Sequence, residues 1–308
     1  MPIKHYIPLA TAVLSGATAI TLIQRRHINT PPSPQTLLAA AADVQHEITR
    51  VPAHFDHISD ADEIAVGDVM AQQLTVSLKR IHSDPSQNIR IEAYLQEVGT
   101  RTAAHTRRKL PWRFHYIPDP NFVNAFALPG GHIFVGQGLL PLMQSEDALA
   151  AVLGHEIEHV DLRHCAERVQ TQAQLHQLGA IGQIVGLPIS IFIAGYSKDQ
   201  ELEADRDGTT LAVQAGYSYT GILQLFDDFD STAAKGNHRL PARPTGPVRE
   251  AAQLSLATIS GYFASHPPSA QRAMQIRRMA KDLNWPAQSL KALHSSSNPD
   301  FVTQRISN

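Results

Sequence analysis

The 308-residue chain is 43% hydrophobic and 18% charged, enough apolar content for one large or two modest packed domains. Its formal net charge of −2 supplies no basic excess for neutralising phosphates, so nucleic acid is not an expected partner. The single cysteine, Cys165, excludes an intrachain disulfide framework and a cysteine-based structural zinc site.

Residues 1–28 read as a targeting unit. Lys4 precedes an apolar run at 7–23, Arg25 and Arg26 follow it, and no acidic residue appears before Asp43. The pattern fits a signal peptide, with Ala17-Thr18-Ala19 as its small-residue triplet, or an N-terminal membrane anchor. A mitochondrial presequence and an ordinary buried helix are the other readings. Either of the first two places the protein in the cell envelope, periplasmic or membrane-anchored through this segment; the mitochondrial envelope is the alternative.

Residues 29–42 are a linker, proline-rich at NTPPSPQ, and 43–290 read as one folded domain followed by a tail at 291–308. Helical spacing runs over 61–108, including Ile91, Tyr94, Leu95 and Val98. Pro111 and Pro118 bracket a predicted strand at 112–117. Two apolar runs, 122–128 and 132–136, flank Pro129-Gly130-Gly131 and predict a β-hairpin. Ser145 is a predicted N-cap, with Glu146 and Asp147 in the first turn of a helix that runs through HEIEH to about Arg168. The apolar stretch 178–195 is broken by Gln183 and Pro188 and reads as a buried hairpin or a second membrane segment. Ser197 and Gln200 form a predicted capping box, opening a helix that carries Glu201 and Asp205 and ends at Gly216. A helix near 220–229, a loop at 234–247 and a last helix opened by His266-Pro267-Pro268 complete the pattern.

HEIEH carries the chemistry. His155 and His159 stand four apart, so their side chains leave one helix face about one turn apart, as two ligands of one tetrahedral zinc require. Glu156 sits beside the metal without being obliged to bind it. There it can take a proton from water on the zinc and later pass it to the leaving amine. Glu158 points elsewhere. The apolar neighbours Ala148, Ala151, Val152, Leu153, Ile157 and Val160 oppose the reading of HEIEH as a solvated charged face. A third histidine six residues after His159 is ruled out by Cys165. A glutamate on a later helix, four residues ahead of an aspartate, is the other solution, and Glu201 and Asp205 have that spacing. Glu201 then binds zinc, and Asp205 accepts the outward ring N–H of a ligating histidine. Glu203 lies off that face, and His164 reads as a supporting or surface residue.

With these residues in place, the chain resembles the zinc peptidase family that includes HtpX, BepA and the CAAX prenyl endopeptidases. The resemblance extends over residues 124–135 (NAFALPGGHIFV), the ELEAD sequence at 201–205, and Ser265-His266-Pro267-Pro268 with Arg272. It implies an α+β, zincin-like metallopeptidase core of gluzincin type, mostly helical with a small antiparallel sheet or hairpin beside the catalytic helix, holding one Zn²⁺ per chain. It also implies that the strand at Asn124, Ala125 and Phe126 pairs with an extended substrate. His266 is implied as a removable fourth ligand or an oxyanion donor, and Arg272 as an oxyanion or carboxylate contact. The chain departs from the family where members carry several membrane helices or a helical repeat domain after the core.

The expected function is a zinc-dependent endopeptidase acting on polypeptides, specifically unfolded or misassembled envelope proteins. The alternative is a zinc-bound chaperone or adaptor with a closed, non-catalytic site. The oligomeric state is left open.

Overall fold

The computed structural model describes residues 58–175, 188–234, 266 and 270–293. The targeting segment, the linker, residues 178–187 and 235–247, and the tail from 294 onward lie outside the described residues. Among the described residues there are eight α-helices and three strands: α1 Asp60–Leu78, α2 Pro85–Ala103, β1 Arg113–Ile117, β2 Ala125–Leu128, β3 His132–Gly136, α3 Glu146–Asp161, α4 His164–Leu175, α5 Ser190–Ile193, α6 Lys198–Gln214, α7 Thr220–Ala234 and α8 Ala270–Asp282. This is a mostly helical α+β fold with a small sheet, as expected. No helix among the described residues is long and apolar enough to cross a membrane. The part of the 178–195 stretch that is described contains only the single-turn helix α5.

The helical region at 61–108 divides in two. Asp84 caps α2 and Pro85 occupies its first turn, where a missing N–H costs nothing. The predicted hairpin is present, with β2 antiparallel to β3 and Ala125 opposite Val135. Gly130 makes its turn possible, because its φ of 75° lies where a side chain would clash. The sheet as a whole is mixed rather than antiparallel. Its order is β1-β3-β2, with β1 parallel to β3. The loop after β1 is the cause. The Asp119 amide donates to Ile117 and the Asp119 side chain accepts from Asn121, so the chain turns away and crosses before β2 begins. The slot beside β1 is left for β3, which is buried along its whole length.

Helix α3 is the centre of the fold. Ser145 caps it by accepting from Ala148, and every residue from 147 to 161 is buried. It ends at Asp161 rather than near Arg168. Arg163 adopts a left-handed φ of 68°, with its guanidinium bonded to the Ile58 carbonyl and Asp60, so the chain bends and α4 starts afresh at His164. Residues 291–293, placed in the tail by the sequence pattern, pack against the start of α3: Ala292 bridges Ser145, the Glu146 amide donates to the Lys291 carbonyl, and Leu293 is buried in the core.

Candidate metal centre

Helices α3 and α6 bring HEIEH and ELEAD face to face. They cross where Gly154 meets Gly208 backbone to backbone, with no side chain between them. The Ser197–Gln200 capping box is present at the start of α6. It sets Glu201 in the first turn of that helix, one residue beyond the box, directly opposite the two histidines.

One potential ligand atom from each of His155, His159, Glu201 and His266 falls within a 4.8 Å cluster, and all four residues are buried. His155 Nε2 lies 3.0 Å from His159 Nε2 and 3.0 Å from His266 Nδ1. Glu201 approaches His155 Nε2 at 3.4 Å, His159 Nε2 at 3.6 Å and His266 Nδ1 at 3.1 Å. Atoms held 2.0–2.1 Å from a tetrahedral ion are roughly 3.3 Å apart. The observed separations bracket that value, and three imidazoles with one carboxylate are a suitable donor set for zinc, so the residues fit a single metal ion.

Around this cluster the supports differ. Asp205 Oδ1 lies 2.9 Å from His155 Nδ1. Arg272 grips Asp205 with two donors, one of them Nη2 at 2.6 Å, and donates from Nη1 to the His266 carbonyl at 2.7 Å. Arg272 is buried and pairs with Asp205 in the interior, not as a surface ion pair. His159 Nδ1 is met by His164 Nδ1 at 3.0 Å. The Tyr196 ring stacks on His159 at 3.8 Å between centroids. Tyr196 is a residue the sequence pattern missed. Its one signal was adjacency to the Ser197 cap, which says nothing about where its ring lies.

Glu156 is fully buried, and among the described residues neither carboxylate oxygen has a hydrogen-bond partner. The nearest cation-forming group is His266 Nε2, 3.4 Å from Oε1. Glu158 is also buried but pairs with Arg107 at 2.9 Å on another side of α3. Glu203 is partly exposed and reaches His164 at 3.4 Å.

Electrostatics follow from burial and these pairings. Burial opposes charge on His155, but Asp205 and Glu201 outweigh it and raise its pKa to about 9. Burial likewise opposes ionisation of Glu201, yet the neighbouring His266 and His155 hold its pKa well below the usual range. Asp205 is lowered because Arg272 overcomes its burial. Burial pushes Glu156 upward and His159 well downward.

The predicted substrate strand lies at the edge of the sheet. Asn124 Oδ1 accepts from the Ala125 amide at the start of β2, and Phe126 stacks on Phe134 with centroids 5.3 Å apart. Among the described residues no strand pairs with the outer edge of β2. All four β2 residues are nonetheless buried, with α5 packed beside them.

Comparison with known proteins places this arrangement in a family. Residues 85–280 match Peptidase family M48. Mitochondrial metalloendopeptidase OMA1 of Schizosaccharomyces pombe is 30% identical over 207 residues, covering 60% of this chain and 55% of the relative. The Beta-barrel assembly-enhancing protease of Escherichia coli is 30% identical over 180 residues, covering 52% of this chain and 36% of the relative. The chain therefore spans about half or less of the length of these curated relatives. The family match covers most of the chain and includes HEIEH, ELEAD and Arg272. The chain belongs to peptidase family M48.

Proposed function

We propose that this protein is a zinc endopeptidase in which His155, His159 and Glu201 hold one Zn²⁺ and Glu156 is the general base. The observation that carries the reading is the pairing of a convergent donor cluster with a buried carboxylate that has no hydrogen bond among the described residues. When bound, the zinc supplies a Lewis acid that acidifies water and polarises the scissile carbonyl. Glu156 takes the proton of the attacking water and returns it to the departing amine. Burial shifts its pKa upward, the direction that makes it a better proton acceptor. Asp205, locked by Arg272, orients His155.

His266 supports a resting state. Its Nδ1 lies within ligand distance of His155 and Glu201, which favours a fourth ligand over an oxyanion donor. Turnover then requires the His266 ring to withdraw. Arg272, committed to Asp205, also holds the His266 carbonyl. The substrate is an extended polypeptide added to the outer edge of β2 beside Asn124, Ala125 and Phe126, once the neighbouring cover yields. The names of the relatives, one mitochondrial and one concerned with β-barrel assembly, support unfolded or misassembled envelope proteins as clients. Membrane association through residues 1–28 rests on the apolar run at 7–23 and its basic flanks.

The test is direct. The purified chain should contain about one zinc per molecule and cleave an unfolded polypeptide in a chelator-sensitive manner. Glu156→Gln should keep the zinc and lose cleavage; wild-type cleavage by that variant overturns the assignment. The alternative, a closed, non-catalytic zinc site in a chaperone or adaptor, is separated from the enzyme by the His266→Ala variant. A gain of cleavage in His266→Ala points to the gated enzyme. No cleavage by either the parent or that variant points to the adaptor.

A further inference from the structure

The two helix histidines of the donor cluster are supported in unlike ways. His155 meets a carboxylate that Arg272 locks in place. Among the described residues, the outward nitrogen of His159 meets no carboxylate. Its Nδ1 faces Nδ1 of His164, the buried first residue of α4, at 3.0 Å. His164 Nε2 in turn lies 3.4 Å from Oε2 of Glu203. The bend at Arg163 creates this contact, because it turns the chain sharply between the two histidines.

Valence orders the protons along this line. A His159 that gives its Nε2 lone pair to a metal keeps its proton on Nδ1 and must donate it. His164 Nδ1 must then accept, which leaves the His164 proton on Nε2, toward the Glu203 carboxylate. The Tyr196 ring, tilted only 14° from the His159 plane, closes one face of the ligand and stops it tipping. Rotation of the ring within its own plane remains, and the Nδ1 contact is the restraint on that motion.

We propose that His164 is a positioning residue for the metal: it accepts the Nδ1 proton of His159, fixes that ring's tautomer and aims Nε2 into the donor cluster, with Glu203 selecting the accepting tautomer of His164. The proposal rests on the reading of His159 as a ligand and extends it to a residue outside HEIEH and ELEAD.

Zinc affinity tests it, measured on the full-length chain by competition with a chromogenic chelator. Asn at position 164 places an amide oxygen near the site of the imidazole Nδ1, whereas Gln places its amide near Nε2. His164→Ala and His164→Gln should weaken zinc binding by about 10–100-fold, and His164→Asn should stay within about threefold of the parent. The thermal midpoints of the zinc-free Asn and Gln variants should agree within a few degrees, so that a packing defect is not read as a lost hydrogen bond. Unchanged affinity in His164→Ala, or equal weakening in the Asn and Gln variants, overturns the positioning role. If His164→Ala does not fold, the Asn and Gln pair decides the matter. A parent chain that binds no zinc overturns the ligand reading itself, a result distinct from a tight-binding parent whose position-164 variants are insensitive.

Discussion

Gly154 of α3 and Gly208 of α6 touch backbone to backbone. A Cβ built on Gly154 would lie 2.4 Å from the Gly208 carbonyl oxygen, and one on Gly208 would lie 2.6 Å from the Gly154 carbonyl carbon. Contact this close sets the distance between the helix of His155 and His159 and the helix of Glu201 and Asp205. Backbone atoms, unlike a flexible side-chain end, cannot move aside without moving the helices. Gly154→Ala or Gly208→Ala should therefore cost about 1–3 kcal/mol of stability. Both variants should also weaken zinc binding, because the donors are carried apart. Thermal unfolding of the zinc-free variants, followed by metal titration, separates the two effects; a variant as stable as the parent argues that the helices adjust freely.

Glu156 is a buried carboxylate with no hydrogen bond among the described residues, so a neutral isostere should not harm the fold. Glu156→Gln should match or exceed the parent's thermal midpoint while peptide cleavage falls by about 10²–10⁴-fold. A large loss of stability in that variant would mean that the carboxylate has a structural partner.

Arg272 and Asp205 form a buried pair with two hydrogen bonds. Removing one member leaves the other charged and buried, at a cost of about 3–5 kcal/mol. Arg272→Met should show that loss in denaturant unfolding. Asp205→Asn in the same chain should recover part of the stability, since no lone carboxylate remains. Zinc affinity should not recover, because the support of His155 stays altered. Additive losses in the double variant would show that the two residues are not coupled.

Away from the metal centre, His115 and His132 pair at 3.0 Å between β1 and β3. Burial, followed by the charges of His132 and Arg113, lowers the His115 pKa to about 4 from a usual 6.5. Between those values the unfolded chain binds a proton that the folded chain refuses. Stability from this group is complete above about pH 6.5 and falls as pH drops toward 4, by up to about 3 kcal/mol. His115→Phe keeps a ring to stack on Phe134, which now lies 4.4 Å away between centroids. It should lose less stability than the parent between pH 7 and pH 4.5. Parallel pH profiles for the two proteins would remove His115 as the source.

Local chemistry explains what was legible in the sequence. The four-residue spacings of His155 to His159 and Glu201 to Asp205 are properties of single helices, and the Ser197 capping box and the Pro129-Gly130-Gly131 turn each lie within a few residues. Such features depend on backbone geometry that neighbouring residues settle among themselves. The mixed sheet was not legible, because residues 132–136 choose between two possible neighbours only when the 118–124 loop has crossed.

The sequence alone thus determined the candidate donor types, their pairing by helical period and the carboxylate beside them proposed as the base. Only the tertiary structure decided that His266, 111 residues from His155, comes within 3.0 Å of it, that Arg272 holds Asp205 rather than solvent, and that His164 turns back to His159. The first group needs one turn of helix. The second depends on the Gly154–Gly208 crossing and the left-handed bend at Arg163, where packing between distant segments fixes distances that spacing along the chain does not encode.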